Sequence, residues 1–484
     1  MSFLKNIILN LPEVKGPTQK RLSFKEKLMW TGIILLLFFI MGVIPLFGLG
    51  SNALAQFQYL SVILGAEFGS IISLGIGPIV TASIVLQLLN GSGIVKFDLT
   101  SSEGKRNFQG TQKLMSILFI LLEGSIYVYM GGLAPLDQYR GTVTYSTLQL
   151  LLVFQLFLGG MIILFFDEVV SKWGFGSGIS LFIVANVSKS IFVRAFNWLP
   201  DPATGSGEFS YLSGKVPQFF QALFRGDPQI ALLAIATILS TVIIFAIAVY
   251  AQAMKVEIPL AFGRVRGYGI RWPLSFIYTS NIPVILVSAL LANLQLWANL
   301  LNRWAVNSGN TVLMWLSHLV GSGGGGSART GLISWLSVPG GQNGLLGTII
   351  EQGTLFVGVR PYFQSIVYLL VLIVGCIVFS YFWVQTSGMD AKSQAEQMVK
   401  SGLLIPGFRK DPRIMEQILE RYITPLTIMG AITIGFLAGV ADLLGALSNG
   451  TSLLLSVMIV YRLYEDIAKQ HMMDMHPMVR KFME

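Results

Sequence analysis

The sequence predicts an all-α membrane protein with ten transmembrane helices, and three observations carry that prediction. Only 12% of the 484 residues are charged, about half the ~25% usual in soluble globular proteins and too few to cover a water-facing surface. Hydrophobic residues make up 53%, and the mean hydropathy is +0.68. Ten stretches are long and apolar enough to cross a hydrocarbon core about 30 Å thick.

The first stretch, Leu28–Leu49, follows 27 mostly polar residues. It is too long for the core of a cleavable signal peptide, so it is expected to stay as a span. Its lead, Ser2–Leu11, is amphipathic and suits a membrane surface. Ala53–Gly69 is helix-forming but short and broken by glycines. Its composition leaves two readings open, a movable re-entrant half-helix or an ordinary external helix. Spans two to five follow at Ile71–Asn90, Gln112–Leu133, Thr147–Trp173 and Ser177–Leu199. A long connection, 200–227, divides these five from the next five. Spans six and seven are Pro228–Met254 and Pro273–Leu301. A second long connection, 302–362, contains GSGGGGS at Gly321–Ser327, which reads as a flexible linker. Its match to GxGxxG is trivial in a glycine tract. The last spans are Phe363–Thr386, Tyr422–Leu447 and Thr451–Ala468. Five spans against five is the arrangement of an inverted repeat, although no residue-level similarity between the halves is evident.

Charge sets the orientation. Of 33 Lys and Arg, 25 fall on one side of this topology, seven on the other, and Lys189 lies within span five. Positive charge collects on cytoplasmic loops, so both termini are expected there. Cys376 is the one cysteine, which excludes intrachain disulfides and multi-cysteine zinc sites. No P-loop, HExxH or GxSxG motif occurs, and no catalytic or metal residue is assigned. Within the spans the clearest charges are Glu123, Lys189 and Asp442. That is few for an ion-coupled pump, which buries charged partners along its route. A passive channel and a small-solute transporter both remain open at this point, with a membrane enzyme the poorest fit.

GIGPIVTASIVLQLL at Gly75–Leu89, GRVRGYGIRWPLSF at Gly263–Phe276 and YTSNIPVILVSAL at Tyr278–Leu290 closely resemble the SecY family, in its archaeal form. LLIPGFR at Leu403–Arg409 and IVYRLYE at Ile459–Glu465 extend the resemblance over nearly the whole chain. The glycine-rich external loop departs from the family pattern.

The resemblance implies a protein-conducting channel and not an enzyme, without a cofactor. It passes unfolded chains across the membrane and releases apolar segments sideways into lipid. The fold implied is two inverted five-helix halves, 1–199 and 228–484, joined by an external hinge at 200–227. The short helix at about 53–64 becomes a plug. An apolar pore ring is implied at Ile76, Val80, Ile179, Ile183, Ile285 and Leu455. Ile76/Val80 and Ile179/Ile183 are four apart, so each pair shares a helix face, and branched apolar side chains around a narrow pore exclude ions by dewetting. From spacing alone the same residues read as helix-packing core. A polar cluster of Thr81, Glu123 and Asn281 is implied at a lateral gate between spans two and three and spans seven and eight. Arg264, Arg266, Arg271 and Arg409 on cytoplasmic loops are implied docking residues. The partners implied are a small single-span SecE-like gamma subunit, a beta subunit, the ribosome, signal sequences, nascent chains and lipid, in the cell membrane.

Overall fold

In the computed structural model the described residues are 11–19, 22–52, 54, 64–91, 94–95, 97, 101–200, 211–262, 269–279, 282–321, 331–340, 344–353, 358–400, 403–404, 412–448 and 450–475. All ten apolar stretches form helices. They are α1 (Phe24–Val43), α2 (Gly77–Gly91), α3 (Ser102–Tyr129), α4 (Val143–Trp173), α5 (Gly178–Phe196), α7 (Pro228–Ala253), α8 (Ile282–Ser308), α12 (Val359–Ser387), α14 (Pro412–Leu443) and α15 (Gly450–Met475). Among the described residues, eight helices are by length and composition apolar enough to cross a membrane, and α2 is a shorter apolar helix. α15 follows an apolar start with Arg462, Glu465 and Asp466. The smaller helices are α6 (Lys215–Arg225), α9 (Thr311–Val320), α10 (Leu332–Trp335), α11 (Gly344–Gln352) and α13 (Ala391–Lys400).

Caps decide several boundaries that hydropathy misplaces. α1 starts in a capping box, in which Glu26 N donates to Ser23 Oγ (3.3 Å) and Ser23 N to Glu26 Oε2 (3.1 Å). α3 begins at Ser102, ten residues before the apolar stretch at Gln112. Ser101 Oγ accepts from Gly104 N at 3.1 Å, and the polar first turns extend the helix beyond the hydrocarbon. α14 likewise starts at Pro412 rather than Tyr422. Proline is preorganised for a first helical position, where its missing N–H costs no bond. α6 ends at Gly226, whose φ of 77° is left-handed, and Pro228 then opens α7.

Span seven starts later than hydropathy predicts. Its expected first residues belong to strand β4 (Gly269–Ser275), which pairs antiparallel with β3 (Lys255–Phe262). β5 (Leu403–Leu404) adds to the other edge of β3, giving the order β4-β3-β5. Ile258 and Leu274 are buried with Ala395 and Met398 of α13 and Met415, Leu419 and Ile423 of α14. The two basic loops therefore share one packed platform. A second small sheet pairs β1 (Leu49–Asn52) with β2 (Leu133–Pro135).

The packing order repeats. In the first five long helices α2 packs on α3, α3 on α4, α1 on α4 and α5, and α4 on α5. In the last five α8 packs on α12, α12 on α14, α7 on α14 and α15, and α14 on α15. Because an odd number of spans forms each set, the second is inverted relative to the first. The sets meet where α5 lies on α15 and where α2 lies on α8 and α12. One apolar cluster runs through both.

Candidate functional site: a central constriction and a polar seam

The residues expected to form the ring come from four helices or their immediate starts. Ile76 is the residue before α2, and its carbonyl accepts from Val80 N at 3.0 Å, closing the first turn and bringing both to one face. Ile179 and Ile183 lie in the opening turns of α5, Ile285 in the first turn of α8 and Leu455 in the second turn of α15. Ile76, Val80, Ile183, Ile285 and Leu455 are all buried in the central cluster, and Ile179 packs against it partly buried. Close packing here needs glycine. At Gly75, φ is 56° and an added Cβ would sit 2.2 Å from the Leu64 carbonyl oxygen. That same carbonyl accepts from Ile76 N at 2.7 Å.

Most of the expected plug, 53 and 55–63, lies outside the described residues. Leu54 and Leu64, at its two ends, are buried in the same cluster as the ring. The chain beyond Leu64 is tied to α5, where Asn186 Nδ2 donates to the Ala66 carbonyl (3.5 Å) and Lys189 Nζ pairs with Glu67 Oε1 (2.5 Å). The side chains of Lys189 and Glu67 are 48% and 35% exposed. Lys189 is therefore not a charge sealed in the bundle, as its place in span five suggested, but an exposed one with a partner.

Two of the three residues expected in the polar cluster are described. Thr81 and Glu123 are both buried and lie together. The asparagine that meets them is Asn293. Its Nδ2 donates to Thr81 Oγ1 at 2.7 Å, and its Oδ1 and Glu123 Oε2 both face Gly77. Asn281 lies outside the described residues. Twelve residues separate positions 281 and 293 along span seven, so the two asparagines are distinct candidates. A signal for Asn293 was present in the sequence, since Asn293, Gln295 and Asn299 are polar residues in an otherwise apolar helix and all three are buried. The Asn293–Thr81 bond joins α8 to α2, so it crosses the seam between the two helix sets.

The docking arginines are mostly beyond reach. Arg264, Arg266 and Arg409 lie outside the described residues, and Arg271 is a β4 residue whose backbone faces Pro259 of β3. Basic side chains also act on the amino-terminal arm. Lys172 Nζ donates to Glu13 Oε1 (2.5 Å) and to the Val14 carbonyl (2.6 Å), and Trp173 Nε1 donates to the Lys15 carbonyl (3.0 Å). The Lys172 ammonium holds the Glu13 carboxyl below its ordinary pKa. A cavity of about 510 Å³ opens beside this arm, between α3 and α4.

The pattern of the SecY family matches residues 70–464, and that of the plug domain of Sec61p matches residues 36–69. The chain belongs to the SecY family. A SecY protein translocase subunit from Methanococcus vannielii is 40% identical over 479 residues, covering 99% of each chain. A solved structure described as "The structure of a protein conducting channel" matches at a TM-score of 0.79 and 40% identity, over 98% of both chains. Another, Sec61 in the canine ribosome-channel complex from the endoplasmic reticulum, matches at 0.77 and 39%, again over 98% of both. Among SecY-family sequences this one is of archaeal type.

Proposed function

We propose that this chain is the central subunit of a protein translocation channel. It passes unfolded polypeptides across the cell membrane and releases transmembrane segments sideways into lipid. It is a channel and not an enzyme. The observation that carries the reading is the convergence of Ile76, Val80, Ile183, Ile285 and Leu455, from four helices of both sets, in one buried apolar cluster, with Ile179 against it. An apolar constriction dewets when narrow, and it offers no hydrogen bond to a passing chain, so it tolerates any sequence.

The parts around it follow. Residues 1–199 and 228–484 act as two halves joined by the external connection 200–227. The segment 53–64 is the plug, a reading supported by the burial of its described residues Leu54 and Leu64 in the same cluster as the ring. The seam between α2 and α3 on one side and α8 and α12 on the other is the lateral gate, held by Thr81, Glu123 and Asn293. A signal sequence opens it by intercalating its apolar helix. Both termini are cytoplasmic, supported by the 25-to-7 distribution of Lys and Arg. The β4-β3-β5 platform then also faces the cytoplasm. Arg271 lies on β4, and with Arg264, Arg266 and Arg409, which are near this platform in sequence, it would offer basic charge to the ribosome. A SecE-like gamma subunit and a beta subunit complete the channel.

Ring substitution tests this reading. Replacing Ile76, Val80, Ile183 and Leu455 together by Ser is expected to raise the ion conductance of the resting channel in planar bilayers. Unchanged resting conductance in a folded, inserted variant would remove these residues from the constriction.

A further inference from the structure

Two acidic residues at the ends of spans have no role in the reading above, and they occupy matching places. Asp167 lies near the end of α4, the fourth span of its set, and Asp442 at the end of α14, the fourth span of the other. Asp167 Oδ1 accepts from Ile179 N at 3.0 Å and from Ser177 Oγ at 3.4 Å. Asp442 Oδ1 accepts from Thr451 N at 3.0 Å, and its Oδ2 accepts from the Thr451 hydroxyl and, at 2.7 Å, from Tyr368 Oη of α12. Each carboxylate thus takes up the free N–H groups that open the fifth span of its own set, α5 or α15. A helix start leaves four such donors unpaired, and they carry partial positive charge.

The likeness continues in the sequence. α5 opens Gly178-Ile-Ser-Leu-Phe-Ile183, and α15 opens Gly450-Thr-Ser-Leu-Leu-Leu455. Glycine, serine and leucine recur in register. Both glycines are required by close approach to the acidic strand of chain. A Cβ at Gly178 would lie 2.5 Å from Asp167 Cα, and one at Gly450 would lie 2.3 Å from Asp442 N. The sixth residue of each motif is a ring residue, Ile183 or Leu455. Residue-level similarity between the halves therefore exists. It is confined to one short motif whose acidic partner is nine to twelve residues upstream, so inspection of the spans alone does not reveal it. Successive spans alternate in direction, so α5 and α15 start on opposite sides of the membrane.

We infer that Asp167 and Asp442 are a symmetry-related pair of positioning residues, each clamping the start of a fifth span so that Ile183 and Leu455 are held in the ring from opposite faces of the membrane. The inference rests on the ring assignment. Asp442 has the additional tie to Tyr368 on α12, a helix of the lateral gate, so its clamp also links the ring to the seam. The hydrogen bonds shown for Asp167 among the described residues, to Ser177 and Ile179, lie within its own α4–α5 turn.

The test compares Asp167→Ala, Asp442→Ala, Asp167→Asn and Asp442→Asn in the full channel complex, with Ile183→Ser and Leu455→Ser as ring controls. The Ala variants lose the acceptor, and the Asn variants keep Oδ1. Loss of a capping acceptor shifts a helix start by a factor of roughly five or more. The resting bilayer conductance of each Ala variant is expected to rise about that much, more for Asp442→Ala, with the Asn variants within about twofold of wild type. Equal amounts of folded, inserted protein with wild-type conductance in the Ala variants, while the ring controls leak, would overturn the inference and leave the ring intact. Ring controls that fail to leak would overturn the ring assignment and, with it, the positioning role. Hydrogen exchange in the wild-type channel needs no variant to fold. Peptides covering 178–183 and 450–455 are expected to be protected from their first turn, and rapid exchange at Ile179 and Thr451 would overturn the clamps directly.

Discussion

The helices α1 and α8 have the same mean hydropathy over their most apolar stretches, 1.8, yet 17% of that stretch is buried within the protein in α1 and 78% in α8. Hydropathy measures only whether a helix leaves water. It does not distinguish lipid from protein, because lipid tails are as apolar as leucine. α1 presents Leu28, Met29, Leu36 and Ile40 outward. α8 lies between α2, α12, α14 and α15, and its buried set includes Ser288, Asn293, Gln295 and Asn299. A helix enclosed by protein can keep such groups because acceptors lie within reach: Asn293 Nδ2 donates to Thr81 and Gln295 Nε2 to the Leu336 carbonyl, while Ser288 and Asn299 donate to carbonyls of α8 itself.

The largest effect that separates these two helices is expected from cavity formation. Leu296→Ala, in α8, removes a side chain with no exposure, whereas Leu36→Ala, in α1, trims one that is 60% exposed. Buried Leu→Ala changes cost about 2–5 kcal/mol. In a bilayer the cost falls near the low end, about 2 kcal/mol, because no water-transfer contribution accompanies helix separation. Leu36→Ala stays within about 0.5 kcal/mol. Unfolding titrations in detergent check both, and equal losses would mean that α1 is packed against protein.

Overfilling gives the next largest contrast. A Cβ on Gly375 of α12 would meet Val287 of α8 at 3.0 Å, and one on Gly32 of α1 meets nothing within 4 Å. Gly375→Leu is expected to cost about 1–3 kcal/mol and Gly32→Leu about 0.5 kcal/mol or less, in the same titrations.

Asn293→Leu acts on the gate. When the seam parts, pore water solvates an asparagine but not a leucine, so the closed state gains. The mutant is expected to need a more hydrophobic signal sequence, by about 1–2 kcal/mol of added partitioning. Translocation across a graded series of signals measures this. Acceptance of weaker signals would mean that the Thr81 bond, worth about 0.6 kcal/mol by the average for such bonds, decides the balance. Asn281→Leu run in parallel separates the two candidate asparagines.

The smallest effect lies outside the bundle. The folded state lowers the pKa of Glu13 through Lys172, so the contact stabilises above the ordinary carboxylate value near 4.5 and is lost as pH falls through the lowered value. Proteolytic release of the arm is expected to increase slightly in that acidic range. Glu13→Gln is expected to show the same release at neutral pH, and no difference between it and wild type would assign the arm's docking to its backbone carbonyls instead.

The ten spans, their order and the family were legible because each rests on a local property, either a run of apolar residues or a contiguous motif. The proposed ring comes from the family resemblance alone, since Ile76 and Leu455 do not differ in kind from packing residues such as Leu74 or Leu454, which are equally buried. For the polar cluster, the sequence pointed to Thr81 and Glu123, which lie together, but not to Asn293, which meets them. Choosing its asparagine required knowing which turn of α8 faces Thr81, and a helix with buried residues on every side has no outward face from which to count. The platform was missed because two strands beginning with alternating residues such as Lys255, Val256, Glu257 and Ile258 read as a basic loop until a third strand and α13 cover them.

The sequence by itself determined that this is a multi-pass membrane protein with ten apolar stretches, the direction its charges favour and the family to which it belongs. Hydrophobicity and the side preference of Lys and Arg act residue by residue against the bilayer and need no tertiary contact. The tertiary structure alone decided which apolar helix faces lipid and which faces protein, which asparagine meets Thr81, and that Asp167 and Asp442 close matching turns. Those outcomes depend on where two distant segments approach within hydrogen-bond range, and in an apolar medium that proximity is set by packing.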